Sequence, residues 1–336
     1  TLIGKRSPDS KIILCGTLTP TGETFSEHPN VRAVVKGEYD KQIARVIADV
    51  QTPGKSKVFE HALLTLEEMN AAPLPMWDDE AALNYWDACP VGHKPPQLQF
   101  WSSRGCPFKC CFCVWPSVMT GNDPDGTKSR AVRCYSPEYM GQFLAERIAW
   151  AKARGTPYAS LYDDSDTFNL VQKHTREMCA VYKATGLPWS AMCRADTVDD
   201  DTWRLMKDSG CFGVKIGFES GSQWVIDNIV NKRLNLKKAA ETAVFLRAIG
   251  LSVHGTFTVG LPGETAEQQR QTIEFIRELY AADAIDTHQL SGTATIEGTP
   301  LAAIAAGAHL PKYPGATAEG FTVSPDGQSK IEQMKP

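Results

Sequence analysis

The feature that most constrains the fold is a repeated alternation of strand-like and helix-like stretches from residue 97 onward. Apolar residues recur there with a period of two in short runs and with a helical period in longer ones. Strands are predicted at residues 97–102, 158–162, 189–194, 213–219, 252–259 and 285–290, and helices at 137–152, 170–185, 199–209, 237–249 and 266–281. This order favours a mostly parallel sheet flanked by helices, wound either as an open sheet or as a barrel.

Composition narrows the class of protein further. The chain has 336 residues, of which 42% are hydrophobic and 22% charged, and this is typical of a globular protein with about two domains or one large α/β unit. Its net charge of -4 excludes a whole-protein positive field that would favour nucleic acid or an anionic membrane. No apolar run approaches the roughly 18 residues of a membrane span, and no signal peptide is recognisable, so we expect a cytoplasmic protein. The first residue is Thr1 rather than Met, and we expect a fragment of a longer chain.

The spacing of the cysteines is the sharpest chemical signal. Of ten cysteines, Cys106, Cys110 and Cys113 form a C-x3-C-x2-C motif in a short loop after the first predicted strand. Three thiolates this close together can hold one corner of an iron–sulfur cluster and leave one iron of a cubane with an open position. An open position indicates chemistry rather than structural support. Cys111 is expected to be a bystander, because it is adjacent to Cys110 in the sequence.

A closed metal site is the competing interpretation. A structural zinc or a non-catalytic iron–sulfur centre needs a fourth protein ligand, which only Cys111, Cys134 or His93 could supply, by folding back onto the loop. The protein would then be an electron carrier or a metal-binding module. A fragment that keeps the motifs but lacks activity is a third interpretation.

The C-x3-C-x2-C motif with an aromatic residue before its last cysteine resembles the cluster loop of the radical S-adenosylmethionine superfamily. The resemblance implies that Cys106, Cys110 and Cys113 bind a 4Fe-4S cluster whose open iron is chelated by S-adenosylmethionine. Reductive cleavage would yield methionine and a 5'-deoxyadenosyl radical that abstracts hydrogen from a substrate, and Phe112 would border the adenine. It also implies a partial (β/α)6 TIM-like barrel with its site at the carboxyl ends of the strands.

Further segments match the superfamily in the same order along the chain. The resemblance assigns cofactor contacts to Asp163 and Asp164 after the second strand, Arg194 after the third, Gly217, Glu219 and Ser220 at the fourth, and Gly260 and Pro262 after the fifth. From the residues themselves, a strand-end carboxylate suits an ammonium group, an arginine suits a carboxylate, and Glu219 suits ribose hydroxyls. The structural alternatives are a helix N-cap, a salt bridge and a loop that leads into a helix. No residue beyond the cluster ligands is assigned as catalytic.

The region before the cysteines has a βαβα-like order. Short apolar runs at residues 11–16 and 31–36 precede a Gly37-Glu38 pair and an amphipathic stretch that ends at Val50. This order resembles the last portion of the Rossmann-like cobalamin-binding domain that precedes many radical enzymes. The cobalamin signature D-x-H-x-x-G is absent, since His28 stands between Glu27 and Pro29. The segment is therefore either the end of such a domain, with the signature upstream, or a packing shoulder on the barrel.

These observations divide the chain into four parts and imply one activity. We expect a cobalamin-domain remnant at residues 1–50, a linker at 51–96, the radical S-adenosylmethionine core barrel at 97–301 and an extension, truncated or loosely ordered, at 302–336. The implied activity is radical C–H activation, with cobalamin-dependent methyl transfer as one outcome and ring rearrangement or cyclisation as others. The expected partners are a small-molecule or peptide substrate and an external electron donor of flavodoxin or ferredoxin type, without nucleic acid or membrane.

Overall fold

The structure, a computed structural model, consists of a small amino-terminal sheet and a larger sheet with helices. It describes residues 5–16, 28–52, 54, 56–75, 95–114, 121, 123–127, 131–318 and 331–332. No helix within these ranges is both long and apolar enough to cross a lipid bilayer.

The amino-terminal sheet has three parallel strands in the order β1-β2-β3. The elements are β1 (Ile12–Gly16), β2 (Val31–Lys36), α1 (Ile43–Gln51), β3 (Lys57–Phe59) and α2 (Leu66–Ala71). Val46 and Val50 of α1 pack on Ala33 and Val35 of β2, as the amphipathic pattern predicts. The expected linker at residues 51–96 thus contributes a strand to this sheet.

The larger sheet confirms the predicted α/β fold with six parallel strands. The strands of this sheet are β4 (Gln97–Phe100), β7 (Ser160–Asp163), β8 (Trp189–Cys193), β9 (Cys211–Glu219), β10 (Ser252–Val259), β11 (Thr287–Gly292) and β12 (Ile331–Glu332). Two short strands, β5 (Ser103–Arg104) and β6 (Arg133–Cys134), lie between β4 and β7 in the sequence. The order of the larger sheet is β4-β7-β8-β9-β10-β11-β12, in which β12 alone is antiparallel, and β5 and β6 form a separate antiparallel pair. Adjacent parallel strands that follow one another in sequence, with helices between them, make the partial barrel that was expected.

The helices follow the predicted order. They are α3 (Pro137–Ala153), α4 (Gln172–Thr185), α5 (Asp200–Asp208), α6 (Leu236–Ala248), α7 (Ala266–Ala281) and α8 (Pro300–Ala305). Side chains of Ser136, Asp199, Asn235 and Thr265 cap the amino ends of α3, α5, α6 and α7, because they supply acceptors to otherwise unpaired N–H groups. Helix α4 begins two residues later than predicted, since Phe168–Leu170 forms a 3-10 turn.

The main core lies between the sheet and the helices. Trp189 of β8 is fully buried, and its ring centroid is 5.0 Å from that of Tyr182 on α4 and 5.4 Å from that of Phe168. Strand alternation places Leu161 and Asp163 of β7 on this helix-facing side. It places Tyr162 and Asp164 on the opposite side.

A second core lies under the cysteine loop. Its buried members are Cys111, Val225, Ile229, Val230, Leu261, Leu301, Ile304, Tyr313 and Ala316, with Cys110, Phe112 and Leu310 packed against it. Tyr313 donates a hydrogen bond of 2.9 Å from its hydroxyl to the carbonyl oxygen of Lys109. The segment after Leu301, expected to be truncated or loosely ordered, is therefore packed as far as Ala316.

We expect Trp189→Ala to lower the free energy of unfolding by about 3–5 kcal/mol, because it leaves a large cavity between Phe168 and Tyr182. Urea denaturation followed by far-ultraviolet circular dichroism measures the change. Val244→Ala, which removes methyl groups from a side chain that is 40% exposed, serves as the control and should stay within about 0.5 kcal/mol of the parent chain. Equal effects of the two substitutions would contradict this account of the core.

Candidate functional site

The cysteine loop begins at a backbone position that requires glycine. Gly105 has a φ of 93°, and a Cβ built on it would lie 2.2 Å from the carbonyl oxygen of Ala131. Its N–H donates a hydrogen bond of 2.8 Å to Oδ2 of Asp166. The residue before Cys106 is therefore held on both sides, which fixes where the loop starts.

The three motif cysteines differ in their exposure to solvent. Cys106 is 9% exposed, whereas Cys110 and Cys113 are partly exposed, and the N–H of Cys113 donates to the carbonyl oxygen of Cys110 at 3.1 Å. Burial raises the pKa of the Cys110 thiol to about 11, against the opposing charges of Lys232 and Arg194. Three thiols in one loop are the donor type that an iron–sulfur cluster takes, and bound iron would supply the positive charge that such thiolates need. As the described residues stand, no group of three or more His, Cys, Asp or Glu side chains is placed so that it could hold a metal ion.

Cys111 belongs to the second core. Its side chain is fully buried, its N–H donates to the carbonyl oxygen of Val230 at 3.0 Å, and its own carbonyl oxygen accepts from the N–H of Leu301 at 2.9 Å. Cys134 lies on β6 opposite Ser103 of β5. His93 lies outside the described residues.

Asp163 is a fully enclosed carboxylate at the end of β7. It is 1% exposed, and its Oδ1 accepts from the N–H and the hydroxyl of Ser165 at 3.0 and 2.6 Å. Its Oδ2 accepts from the hydroxyls of Ser102 and Tyr182, and His174 Nε2 is 3.2 Å from Ser102 Oγ. Asp163 thus ties the end of β4, just before the cysteine loop, to β7 and α4.

Asp164 has a different environment. It is partly exposed, its Oδ2 accepts from Nε2 of Gln99 at 2.9 Å, and its N–H donates to the carbonyl oxygen of Phe100 at 2.8 Å. The two adjacent carboxylates therefore face opposite sides of the sheet. Only Asp164 lies on the side away from the helices.

Arg194 is buried and held on every side. Its backbone exchanges two hydrogen bonds with the Asn169 side chain, and its guanidinium donates to both carboxylate oxygens of Asp196 at 2.9 Å. It also donates to the carbonyl oxygen of Lys232 at 3.3 Å and lies 3.6 Å from the centre of the Phe108 ring. Phe108 is part of the cysteine loop, so Arg194 anchors that loop to the end of β8.

Glu219 and Lys232 form a partly enclosed ion pair at the end of β9. Lys232 Nζ is 2.7 Å from Glu219 Oε1, and the two side chains are 8% and 12% exposed. Glu219 has a φ of 69°. A Cβ at Gly217 would lie 2.3 Å from Glu219 Oε1 and 2.5 Å from Lys232 Nζ, so glycine there leaves room for the pair.

The other expected contacts have structural partners. Ser220 is fully buried, and its hydroxyl is 3.1 Å from that of Thr272 on α7. Gly260 has a φ of 78°, and its N–H donates to Oε2 of Glu264 at 2.8 Å. Pro262 is buried in the same loop. These residues shape the strand ends rather than presenting polar side chains.

One edge of the sheet gathers the charged groups. The Arg194 guanidinium lies 3.6 Å from the centre of the Phe108 ring, and the N–H of Cys111 donates to the carbonyl oxygen of Val230, two residues before Lys232. These contacts place the end of β8 and the segment that carries Lys232 beside the cysteine loop. Neither Lys232 nor Phe108 was predicted from the sequence. Lys232 follows Asn231, which has a φ of 57° and ends a π-helical turn (Ile226–Val230), and such a turn has no distinct sequence signature.

Comparison with known proteins agrees with this arrangement. Residues 102–276 match the family described as the radical SAM superfamily. A cytidylyl-2-hydroxyethylphosphonate methyltransferase of Streptomyces wedmorensis is 28% identical over 63% of this chain and 39% of its own length. An uncharacterized methyltransferase of Pyrococcus horikoshii is 28% identical over 81% of this chain and 58% of its own.

A solved structure shares the fold. The cobalamin-dependent S-adenosylmethionine radical enzyme OxsB, determined with aqua-cobalamin and S-adenosylmethionine bound, superposes with a TM-score of 0.59 at 16% identity. The match covers 82% of this chain and 40% of that one. The present chain thus spans between about two fifths and three fifths of the length of these relatives.

We expect Asp163→Ala to lower the free energy of unfolding by roughly 3 kcal/mol or more, because buried donors of Ser102, Ser165 and Tyr182 lose a charged acceptor. Asp164→Ala makes the same chemical change one residue away. It should cost less than about 1.5 kcal/mol, because Asp164 is partly exposed. Urea denaturation of both variants measures the difference, and similar losses would refute the distinction drawn between the two carboxylates.

Proposed function

The chain belongs to the radical SAM superfamily, and from this membership we propose that it is an enzyme that uses S-adenosylmethionine for radical methyl transfer to a small-molecule or peptide substrate. Enzymes of this superfamily use a 4Fe-4S cluster and S-adenosylmethionine. The observation that carries the proposal is the three-cysteine loop in contact with Arg194 and with the segment that ends in the Glu219–Lys232 pair, at one sheet edge.

The proposed ligands of the cluster are Cys106, Cys110 and Cys113. When bound, the cluster supplies one electron that cleaves S-adenosylmethionine into methionine and a carbon radical. The protein must hold the loop rigidly and keep water out. Arg194 serves the first need through its contact with Phe108, and the second core serves the other by packing beneath Cys110 and Phe112.

The proposed contacts of S-adenosylmethionine differ between the two adjacent aspartates. Asp164 is the candidate for its ammonium group, because it is the partly exposed member of the pair. Glu219, held by Lys232 at 2.7 Å, is the candidate for the ribose hydroxyls. Asp163 is assigned to positioning of Ser102 instead, since the protein already occupies both of its oxygens.

Gly217, Gly260, Pro262 and Ser220 are proposed to give the nucleoside a close approach to the backbone. Gly260 supports this role because a Cβ there would meet nothing within 4 Å. Phe112, packed on the second core, is proposed to border the adenine. Arg194 is proposed to orient the loop rather than to contact the methionine carboxylate, since Asp196 already fills its fork.

We further propose that cobalamin takes part in the methyl transfer. The support is the order β1, β2, α1 before the barrel, the methyltransferase names of the relatives and the aqua-cobalamin bound in OxsB, which shares the fold. The carboxyl edge of the amino-terminal sheet carries Gly16 and Gly37, which lie side by side, and residues without side chains permit a ligand to approach the backbone closely. An external electron donor of flavodoxin or ferredoxin type completes the proposal.

The first test is anaerobic production of 5'-deoxyadenosine. We expect the chain, reconstituted with iron and sulfide and reduced with dithionite, to form it from S-adenosylmethionine. Cys113→Ala should abolish it, because a cubane with two protein ligands is not held. Cys111→Ala, the same change two residues away, should retain most of it. Liquid chromatography quantifies the product.

Two outcomes of this experiment would contradict the proposal. A bound, reducible cluster without deoxyadenosine would refute the radical function and favour an electron carrier. Equal loss in Cys111→Ala and Cys113→Ala would remove the ligand assignment.

A second prediction concerns Glu219. Glu219→Gln should raise the Kd of S-adenosylmethionine about tenfold, because one charge-assisted hydrogen bond is lost. Anaerobic calorimetric titration of the cluster-loaded chain measures the Kd. Glu241→Gln, on the exposed face of α6, is the control and should bind as the parent does. An unchanged Kd in Glu219→Gln would remove Glu219 from the binding site.

A further inference from the structure

Two acidic residues lie where the amino-terminal sheet meets the barrel. Glu38 and Asp40 follow directly after β2, at the carboxyl edge of that sheet, where Gly37 bridges to Gly16 of β1. Glu38 is nevertheless only 5% exposed. A carboxylate this deeply buried requires partners.

The partners of these acids come from the barrel. Arg133 on β6 binds both carboxylate oxygens of Glu38 and donates to the carbonyl oxygen of Leu64 at 2.9 Å. Arg104 on β5 donates to Glu38 at 3.3 Å and to both oxygens of Asp40 at 2.8 and 3.2 Å. We name Glu38, Asp40, Arg104 and Arg133 the junction cluster.

The two arginines of the junction cluster sit opposite each other in the short β5–β6 pair. Their planar guanidinium groups bind carboxylates through two parallel hydrogen bonds, which fixes direction as well as distance. Arg133 and Glu38 are 8% and 6% exposed, and Arg104 is 18% exposed. Solvent therefore screens the contacts of Glu38 far less than it screens a surface pair, whereas the Asp40 side chain, 36% exposed, is more open to solvent.

The junction cluster is one residue away from the cysteine loop. Arg104 precedes Gly105, which is held by Asp166 and is confined by Ala131, and Cys106 follows. Burial is the main cause that raises the pKa of Asp166, the carboxyl that holds Gly105, to about 6, and the charge of Glu38 contributes to this rise.

We propose that Glu38 and Asp40 are positioning residues for Cys106, so that the amino-terminal unit forms part of the cluster-binding site through Arg104 and Arg133. The assignment of Cys106 as a cluster ligand rests on the proposed function. The positioning itself does not, because it concerns the geometry of the protein chain.

The test measures how often Cys106 becomes accessible in the chain before cluster loading. Iodoacetamide labels exposed thiols, and trypsin cuts after Arg104 and Lys109, so residues 105–109 form a peptide that carries Cys106 alone. Residues 177–183 likewise carry Cys179, which is buried in the main core. Mass spectrometry gives both labelling rates in one sample, and Cys179 reports on global unfolding.

We expect Glu38→Gln to raise the labelling rate of Cys106 about tenfold with little change at Cys179, because it weakens the hold on β5 and allows local opening. Glu60→Gln is the matched control. It makes the same change in the same unit, at a residue whose ion pair with Lys36 leaves its side chain 74% exposed. Labelling in this control should equal that of the parent.

The two labelling rates distinguish local opening at Cys106 from a loss of global stability. An unchanged Cys106 rate in Glu38→Gln overturns the proposal. If both thiols label faster in Glu38→Gln, the variant has lost global stability, and Asp40→Asn decides, since it leaves the Glu38–Arg133 pair intact. A selective rise at Cys106 in Asp40→Asn supports the proposal, and no selective rise overturns it.

A second readout uses the cluster-loaded chain. Glu38→Gln should bind as much iron as the parent but give a reduced cluster with broadened or shifted electron paramagnetic resonance lines, because one ligand is less well placed. A spectrum identical to that of the parent would contradict the proposal. Absence of 5'-deoxyadenosine in all variants would count against the proposed function while leaving both readouts interpretable.

Discussion

The buried carboxylate of Asp163 is the interaction on which the arrangement of the cysteine loop depends. It accepts hydrogen bonds from Ser102 at the end of β4 and from Ser165 after β7, so it sets the position of one strand end relative to the other. A carboxyl group at 1% exposure is tolerated only while its oxygens have hydrogen-bond partners. Any displacement of β4 would therefore break bonds that are costly to lose. The position of the cysteine loop, which starts three residues after Ser102, is fixed by the same hydrogen bonds.

Near the start of the cysteine loop, each buried cation forms an ion pair with a carboxylate. Arg194 is bound by Asp196 and Lys232 by Glu219, and both cations lie close enough to Cys110 to act on its thiol. Parallel strands bring their carboxyl ends to one edge, so side chains distant in sequence converge there. The pairing keeps each charge in place, and it leaves the positive side chains near the thiols, where a cluster of negative charge is best stabilised.

The sequence predicted the fold because its periodic patterns are local. The alternation of periods placed all six parallel strands and the helices between them. The need for glycine at Gly105 was not predicted, because it arises from the carbonyl oxygen of Ala131, which is distant in sequence. The pattern also held the information that separates Asp163 from Asp164, since alternation puts Asp163 on the same side as the apolar Leu161. The prediction that both Asp163 and Asp164 contact a cofactor treated the two acids as equivalent, although they lie on opposite sides of the sheet.

What escaped prediction depends on contacts between distant residues. Lys232 meets Glu219 only because a π-helical turn and the left-handed Asn231 return the chain to β9. The role of Phe108 could not be predicted, because it depends on the guanidinium of Arg194. Arg194 is 86 positions later in the sequence, at the end of β8.

The role of Glu38 differs between the family resemblance and the structure. The sequence connects the Gly37-Glu38 pair with a cofactor-binding domain, whereas in the structure the Glu38 side chain pairs with Arg133 and Arg104 of the barrel. Apolar contacts between two units tolerate sliding, but paired guanidinium–carboxylate contacts hold one orientation. A junction made of such contacts holds the amino-terminal sheet and the barrel in one relative orientation. The Glu38 side chain at the edge of the amino-terminal sheet is thereby committed to the barrel.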